Sequence, residues 1–126
     1  MADRRRRMQF ESDDLVQQIV EGRKTASVAR LGEVDVALGE YDDPLAVGEL
    51  YDVYDSNLIM RATIRVTAME LCRWDKIPER LWRGETNSNA DEFRRDHLYY
   101  FSEPDDNFEF VAYYFELVET NSLSQV

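Results

Sequence analysis

The spacing of apolar residues changes several times along the chain, and each change predicts an element. MQF (8–10) reads as a short first strand. Over DDLVQQIVEGRK (13–24), Leu15 and Ile19, joined by Val16 and Val20, form an apolar stripe at helical spacing. Ser12 or Asp13 is placed to cap this helix, acids crowd its first turn, and Gly22 is placed to end it. KTASVARL (24–31) resumes as a strand. The stretch 32–49 is turn-rich, with a short strand expected at 34–38. ELYDVYDS and LIMRATIRVTAMEL predict a hairpin around Ser56 and Asn57. In its second arm Ala62, Ile64, Val66 and Ala68 alternate with Arg61, Thr63, Arg65 and Thr67, the period of a half-buried strand. WDKIPERLWRGE predicts a short helix with Pro78 in its first turn. SNADEFRRDHLYYF predicts another, capped by Asn87, Ser88 or Asn89. NFEFVAYYFELVE is apolar on both faces and rich in aromatics, as a central strand is.

This order of elements is α+β, and its hairpin-linked strands do not suit an all-parallel sheet. A small, partly closed barrel of mixed or antiparallel strands with flanking helices is the expected packing. The chain of 126 residues is long enough for one core. One domain is expected over 8–119, between a flexible basic tail at 1–7 and a flexible tail at 120–126. No apolar run approaches the roughly 20 residues of a membrane helix, and the basic start MADRRRRMQF lacks the apolar segment of a secretory signal. Cys72 is the only cysteine, so no intrachain disulfide forms, and a reducing cytoplasm is expected.

The charge is lopsided, with 26 acidic residues against 15 basic ones and a net charge of −11. Only two of the basic residues are lysines, Lys24 and Lys76. Surplus carboxylates with few lysines fit a protein working in a very salty, halophilic cytoplasm. The competing reading is an acidic face that mimics or repels nucleic acid. High salt shortens the reach of charge to about 3 Å at 1 M, so the net charge does not exclude a nucleic-acid ligand.

Lys24 stands where the first helix hands over to a strand. Desolvation at a loop edge would make its amine a usable base. The plainer alternative is a solvated cation at a helix C-terminus. Lys24 and Ser27 face opposite ways on a regular strand, so they cooperate only if the strand starts with a curl. Glu85, in the loop after Gly84, is a candidate acid or base, or else a surface carboxylate. Trp74 and Trp82 either stack a nucleobase or pack on the core. Arg4 to Arg7 form either a phosphate-binding arm or a loose tail. His97 is the only histidine. With one cysteine beside it, no zinc site of ordinary spacing is expected. The chain has no glycine-rich phosphate loop, no GxSxG elbow and no Ser-His-Asp arrangement.

Three stretches together resemble the ASCH domain, a relative of the PUA RNA-binding fold. They are EGRKTAS, VGELYDVYDS and RWDKIPERLWRGETNSNADEFRRDHLYYF, and the likeness runs over roughly 8–119. Of the family's Gly-x-Lys-x-x-Glu-x-Arg signature, Gly22 and Lys24 match. Ser27 stands at the Glu position, Ala29 at the Arg position, and Arg30 falls one position late. The resemblance implies a PUA-like β-barrel whose cleft accepts RNA or a modified nucleoside, with no cofactor. One branch of the family is an amidohydrolase that deacylates N(4)-acetylcytidine with a lysine, a threonine three residues on and a distant glutamate. The matching positions here are Lys24, Ser27 and Glu85. Arg23, Thr25, Trp82 and Arg83, which flank them, are expected to contact the substrate. Other branches resemble ribonucleases or plain RNA binders, and the RGE…H…YF segment resembles a separate subgroup. A protein–protein module would instead show an exposed apolar patch and no polar cleft. On the hydrolase reading, Lys24→Ala is expected to abolish activity with little change in melting temperature.

Overall fold

The computed structural model describes residues 5–10, 12–31 and 45–120. The strand expected at 34–38 lies outside them, as do residues 1–4 and 121–126 of the two expected tails. In chain order the elements are β1 (Arg5–Gln9), α1 (Asp13–Val20), β2 (Ala26–Ala29), β3 (Leu50–Tyr54), β4 (Met60–Arg73), α2 (Glu79–Gly84), α3 (Ala90–His97) and β5 (Glu109–Thr120). The strands form one mixed sheet in the order β1-β3-β4-β5-β2. The β1–β3 pair is parallel and the other pairs are antiparallel. The sheet curls into a half-barrel, the α+β architecture expected from the element order.

The apolar stripe of α1 supplies Val16 and Ile19, both almost wholly buried inside the curl against Tyr51, Val53, Ile64, Val66 and Phe115. Ser12 caps the helix by accepting from the Leu15 amide at 3.4 Å. The other face of the sheet packs under α2 and α3, with Val28, Trp74, Leu81, Phe93, Phe101 and Phe110 at its centre. Strand β5 therefore alternates between two cores: Phe110, Ala112 and Tyr114 face one, Tyr113 and Phe115 the other. Double burial explains why its sequence lacks the alternation seen in β4.

Several boundaries differ from the expected ones. The first strand starts at Arg5 rather than Met8, so part of the expected basic tail is sheet. Arg6 is buried, donates to the Tyr51 hydroxyl at 2.7 Å and lies 5.0 Å from that ring's centre. Pairing with β3 satisfies the backbone, and the aromatic partner shelters the charge. Helix α2 is shorter than expected because Pro78 forms its N-cap rather than its first turn. Trp74 and Ile77 precede it as core residues. Helix α3 begins at the Asn89 cap and ends at His97, and the aromatic run 99–101 is turn. In β4 the alternation of two breaks at Thr63, fully buried, where the register with β5 shifts.

Candidate functional site

Helix α1 ends because Gly22 adopts φ +79, a backbone state open to glycine without steric cost. The chain reverses there, and the amides of Arg23 and Lys24 both bond the Gln18 carbonyl, at 2.9 and 3.1 Å. Thr25 then ties three elements together. Its amide bonds the Gly84 carbonyl at 2.8 Å, and its carbonyl accepts from the Phe115 amide at 3.0 Å. The end of α2 is thus stitched against the start of β2. Gly84 permits the approach, since a Cβ there would lie 2.6 Å from the Ala26 Cβ. Glu85 follows immediately and points its carboxylate at Lys24.

The Lys24 ammonium donates to Glu85 Oε1 and to the Ala26 carbonyl, the latter at 2.7 Å. It lies 5.6 Å from the centre of the Phe10 ring. The Lys24 side chain is 1% exposed and that of Glu85 5%. The lysine thus folds back onto a carbonyl two residues ahead, before β2 begins at Ala26. This is the curled start required for Lys24 and Ser27 to share a space, and both line one cavity of about 320 Å³. That volume lies at the lower end of small-molecule sites, roughly 300–1,000 Å³.

Glu85 Oε2 meets His97 Nε2 at 2.9 Å, and His97 Nδ1 meets the Phe93 carbonyl at 2.8 Å. Phe93, wholly buried, stacks on the imidazole with ring centres 4.1 Å apart. Burial alone would push the Glu85 carboxyl up. The Lys24 charge, followed by the His97 hydrogen bond, outweighs that and holds it below its ordinary value. Behind it, Thr86 adopts φ +68. Such a backbone is unusual for a β-branched residue and costs on the order of 1 kcal/mol or more. Asn87 completes this loop, donating to Glu92 at 3.2 Å and Asp96 at 2.9 Å.

Lys24, Ser27 and Glu85 are therefore brought together across 61 residues of sequence. The four flanking positions are not. Arg23 is exposed and paired with Glu21. Thr25 is exposed and serves through its backbone. Trp82 is half-buried against the core under α2, and Arg83 lies over its ring while pairing with Glu79. Nearness in sequence misplaced them, because successive residues at a helix end and at a strand start point away from one another. Instead the cavity takes Met8 and Phe10 from β1 and its end, Asn87 and His97, and the aromatics Tyr100 and Tyr113. Only His97 carried a signal in sequence, as the lone histidine. Among the described residues, no three His, Cys, Asp or Glu side chains cluster so as to hold a metal. No helix among them is long and apolar enough to cross a membrane.

The curled five-stranded half-barrel with its three helices matches the fold of ASCH domains, a PUA-like fold. The chain superposes on the ASCH domain of Lactobacillus crispatus JV V101 with a TM-score of 0.75 and 16% identity, over 93% of this chain and 80% of that one. A DUF984 protein of Enterococcus faecalis V583 gives 0.68 and 23%, over 97% and 84%. ASCH from Zymomonas mobilis gives 0.63 and 15%, over 96% and 75%. At these identities the likeness defines the fold. No family model and no curated protein matches the sequence.

Proposed function

We propose that this chain is an ASCH-family protein whose cavity takes a nucleoside-sized ligand and hydrolyses the amide of an N(4)-acylated cytidine. One observation carries the reading: a buried Lys24–Glu85 pair lines the same cavity as Ser27. At rest the pair is ammonium and carboxylate. Passing one proton from Nζ to Oε1 turns it into amine and carboxylic acid with no change of net charge, which suits a dry site. The amine accepts the Ser27 proton as Oγ attacks the acyl carbon. The intermediate collapses, the bond from carbon to N4 breaks, and the Glu85 acid protonates the leaving nitrogen. The pair is then back in its resting form. In the second half the proton passes from Nζ to Oε1 once more, and a water attacks the acyl-serine ester, giving its proton to the Lys24 amine. Glu85 returns a proton to Ser27 Oγ, and the carboxylic acid departs. Phe10, Tyr100 and Tyr113 offer flat faces for the base.

The test is incubation of purified protein with N(4)-acetylcytidine across pH 6–9 in both physiological and high salt, with chromatography of the products. Cytidine and acetate are expected in equal amounts, and neither with Ser27→Ala. If the nucleoside binds but no acetate forms under any condition, the hydrolase reading is wrong and the site is a binding pocket. Retention of short RNA without turnover is the result that favours an RNA-binding module.

A further inference from the structure

The histidine contact contains a constraint on protons. A backbone carbonyl has no hydrogen to give, so Phe93 O fixes a proton on His97 Nδ1. In a neutral ring Nε2 would then be a lone pair, and it faces a carboxylate oxygen at 2.9 Å. Two acceptors do not sit at that distance, so one proton lies between Nε2 and Oε2, whichever partner holds it. The ring has little freedom to evade this, being stacked on Phe93 and flanked by Phe101. From this arrangement we infer that His97 is the positioning residue of the Lys24–Glu85 pair. It holds a proton on the Oε2 side of Glu85 and thereby dedicates Oε1 to Lys24.

The consequence for turnover rests on the hydrolase reading above, whereas the shared proton does not. With His97 protonated, Glu85 is clamped from both sides and its Oε1 can trade a proton only with Lys24 or the ligand. Without the shared proton the clamp would become a repulsion between two lone pairs, and Glu85 would lose its hold on the Oε2 side. The other titratable groups around the cavity are Lys24 before β2, Asp96 on α3, Tyr100 after it and Tyr113 on β5.

Two measurements test this. His97 is the chain's only histidine, so its ring signals are unambiguous in ¹⁵N-labelled, untagged protein. The wild type is expected to show a downfield, slowly exchanging Nε2 proton near neutral pH that disappears in Glu85→Gln. An Nε2 proton that is absent from the wild type, or unchanged in Glu85→Gln, overturns the inference whatever the substrate is. The second measurement is kinetic. His97→Phe keeps a ring on Phe93 but has no N–H for Oε2, and is expected to retain KM and lower kcat by up to about 100-fold. His97→Gln, which keeps an N–H near Nε2, is expected to recover most of that loss. A kcat of His97→Phe equal to the wild type's, or no recovery in His97→Gln, overturns the positioning role. If the wild type hydrolyses nothing, the hydrolase reading fails and the nuclear magnetic resonance result decides the inference by itself.

Discussion

Replacing Lys24 by methionine keeps the length of the side chain and removes its charge. Lys24 is 1% exposed and Glu85 5%, so the variant leaves a carboxylate in the interior without its main partner. Breaking a buried pair from one side costs about 3–5 kcal/mol, most of it the desolvation of the orphaned charge. His97 still bonds Oε2, which puts the expected cost near the lower end, about 3 kcal/mol. For a chain of this size the melting temperature should fall by roughly 10 °C. The sequence alone leads to the expectation that removing Lys24 barely moves it, and the burial of the pair argues the other way. The cost depends on pH in a stated direction. Without Lys24, burial pushes the Glu85 carboxyl up, so acid neutralises it and the loss should shrink as pH falls. Lys24→Met/Glu85→Gln removes the stranded charge and should recover much of the stability, giving a favourable coupling in a double-mutant cycle. Urea unfolding of the four proteins at two pH values measures all of this. A single variant as stable as its parent, or a double variant no better than Lys24→Met, refutes the claim that the pair is buried and mutually dependent.

Three further outcomes follow from the same geometry. In the wild type Glu85 is held below its ordinary 4.5. Its contribution is therefore complete well above that value and is lost as pH falls through 4.5 and then the folded value. The stability gap between wild type and Glu85→Gln should narrow from about pH 6 toward pH 3, and a constant gap counts against the assignment. Gly84→Ala places a methyl 2.6 Å from the Ala26 Cβ. It should cost about 1–3 kcal/mol and also impair ligand binding, because Glu85 moves with the displaced turn; unchanged unfolding and binding would refute the tight contact. Burial, then the nearby Glu70, pushes the Cys72 thiol up to about 12. Thiol reagents should label it at the rate of global unfolding, and rapid labelling of the folded protein would contradict its burial.

The amino-acid pattern by itself settled the kinds and order of most described elements, because local periodicity and end signals are properties of short stretches. The stripe of α1, the stop at Gly22, a cap for α3 within 87–89 and the double-faced β5 all belong to this class. It also singled out Lys24, Ser27 and Glu85, through the likeness of short motifs. Their meeting was not legible, because it depends on contacts across 61 residues: the Thr25–Gly84 stitch and the curl before β2. The same applies to Arg5–Arg7, whose charges suggest a tail until β3 offers them a strand to pair with. Arg23, Thr25, Trp82 and Arg83 show the limit from the other side, since a neighbour in sequence at an element's end turns to a different face. His97 stood out as a residue type but acquired a role only when α3 brought its ring against the Glu85 carboxylate. Tertiary structure decided the site because a proton can be shared only between atoms about 3 Å apart, and no spacing along a chain encodes that distance.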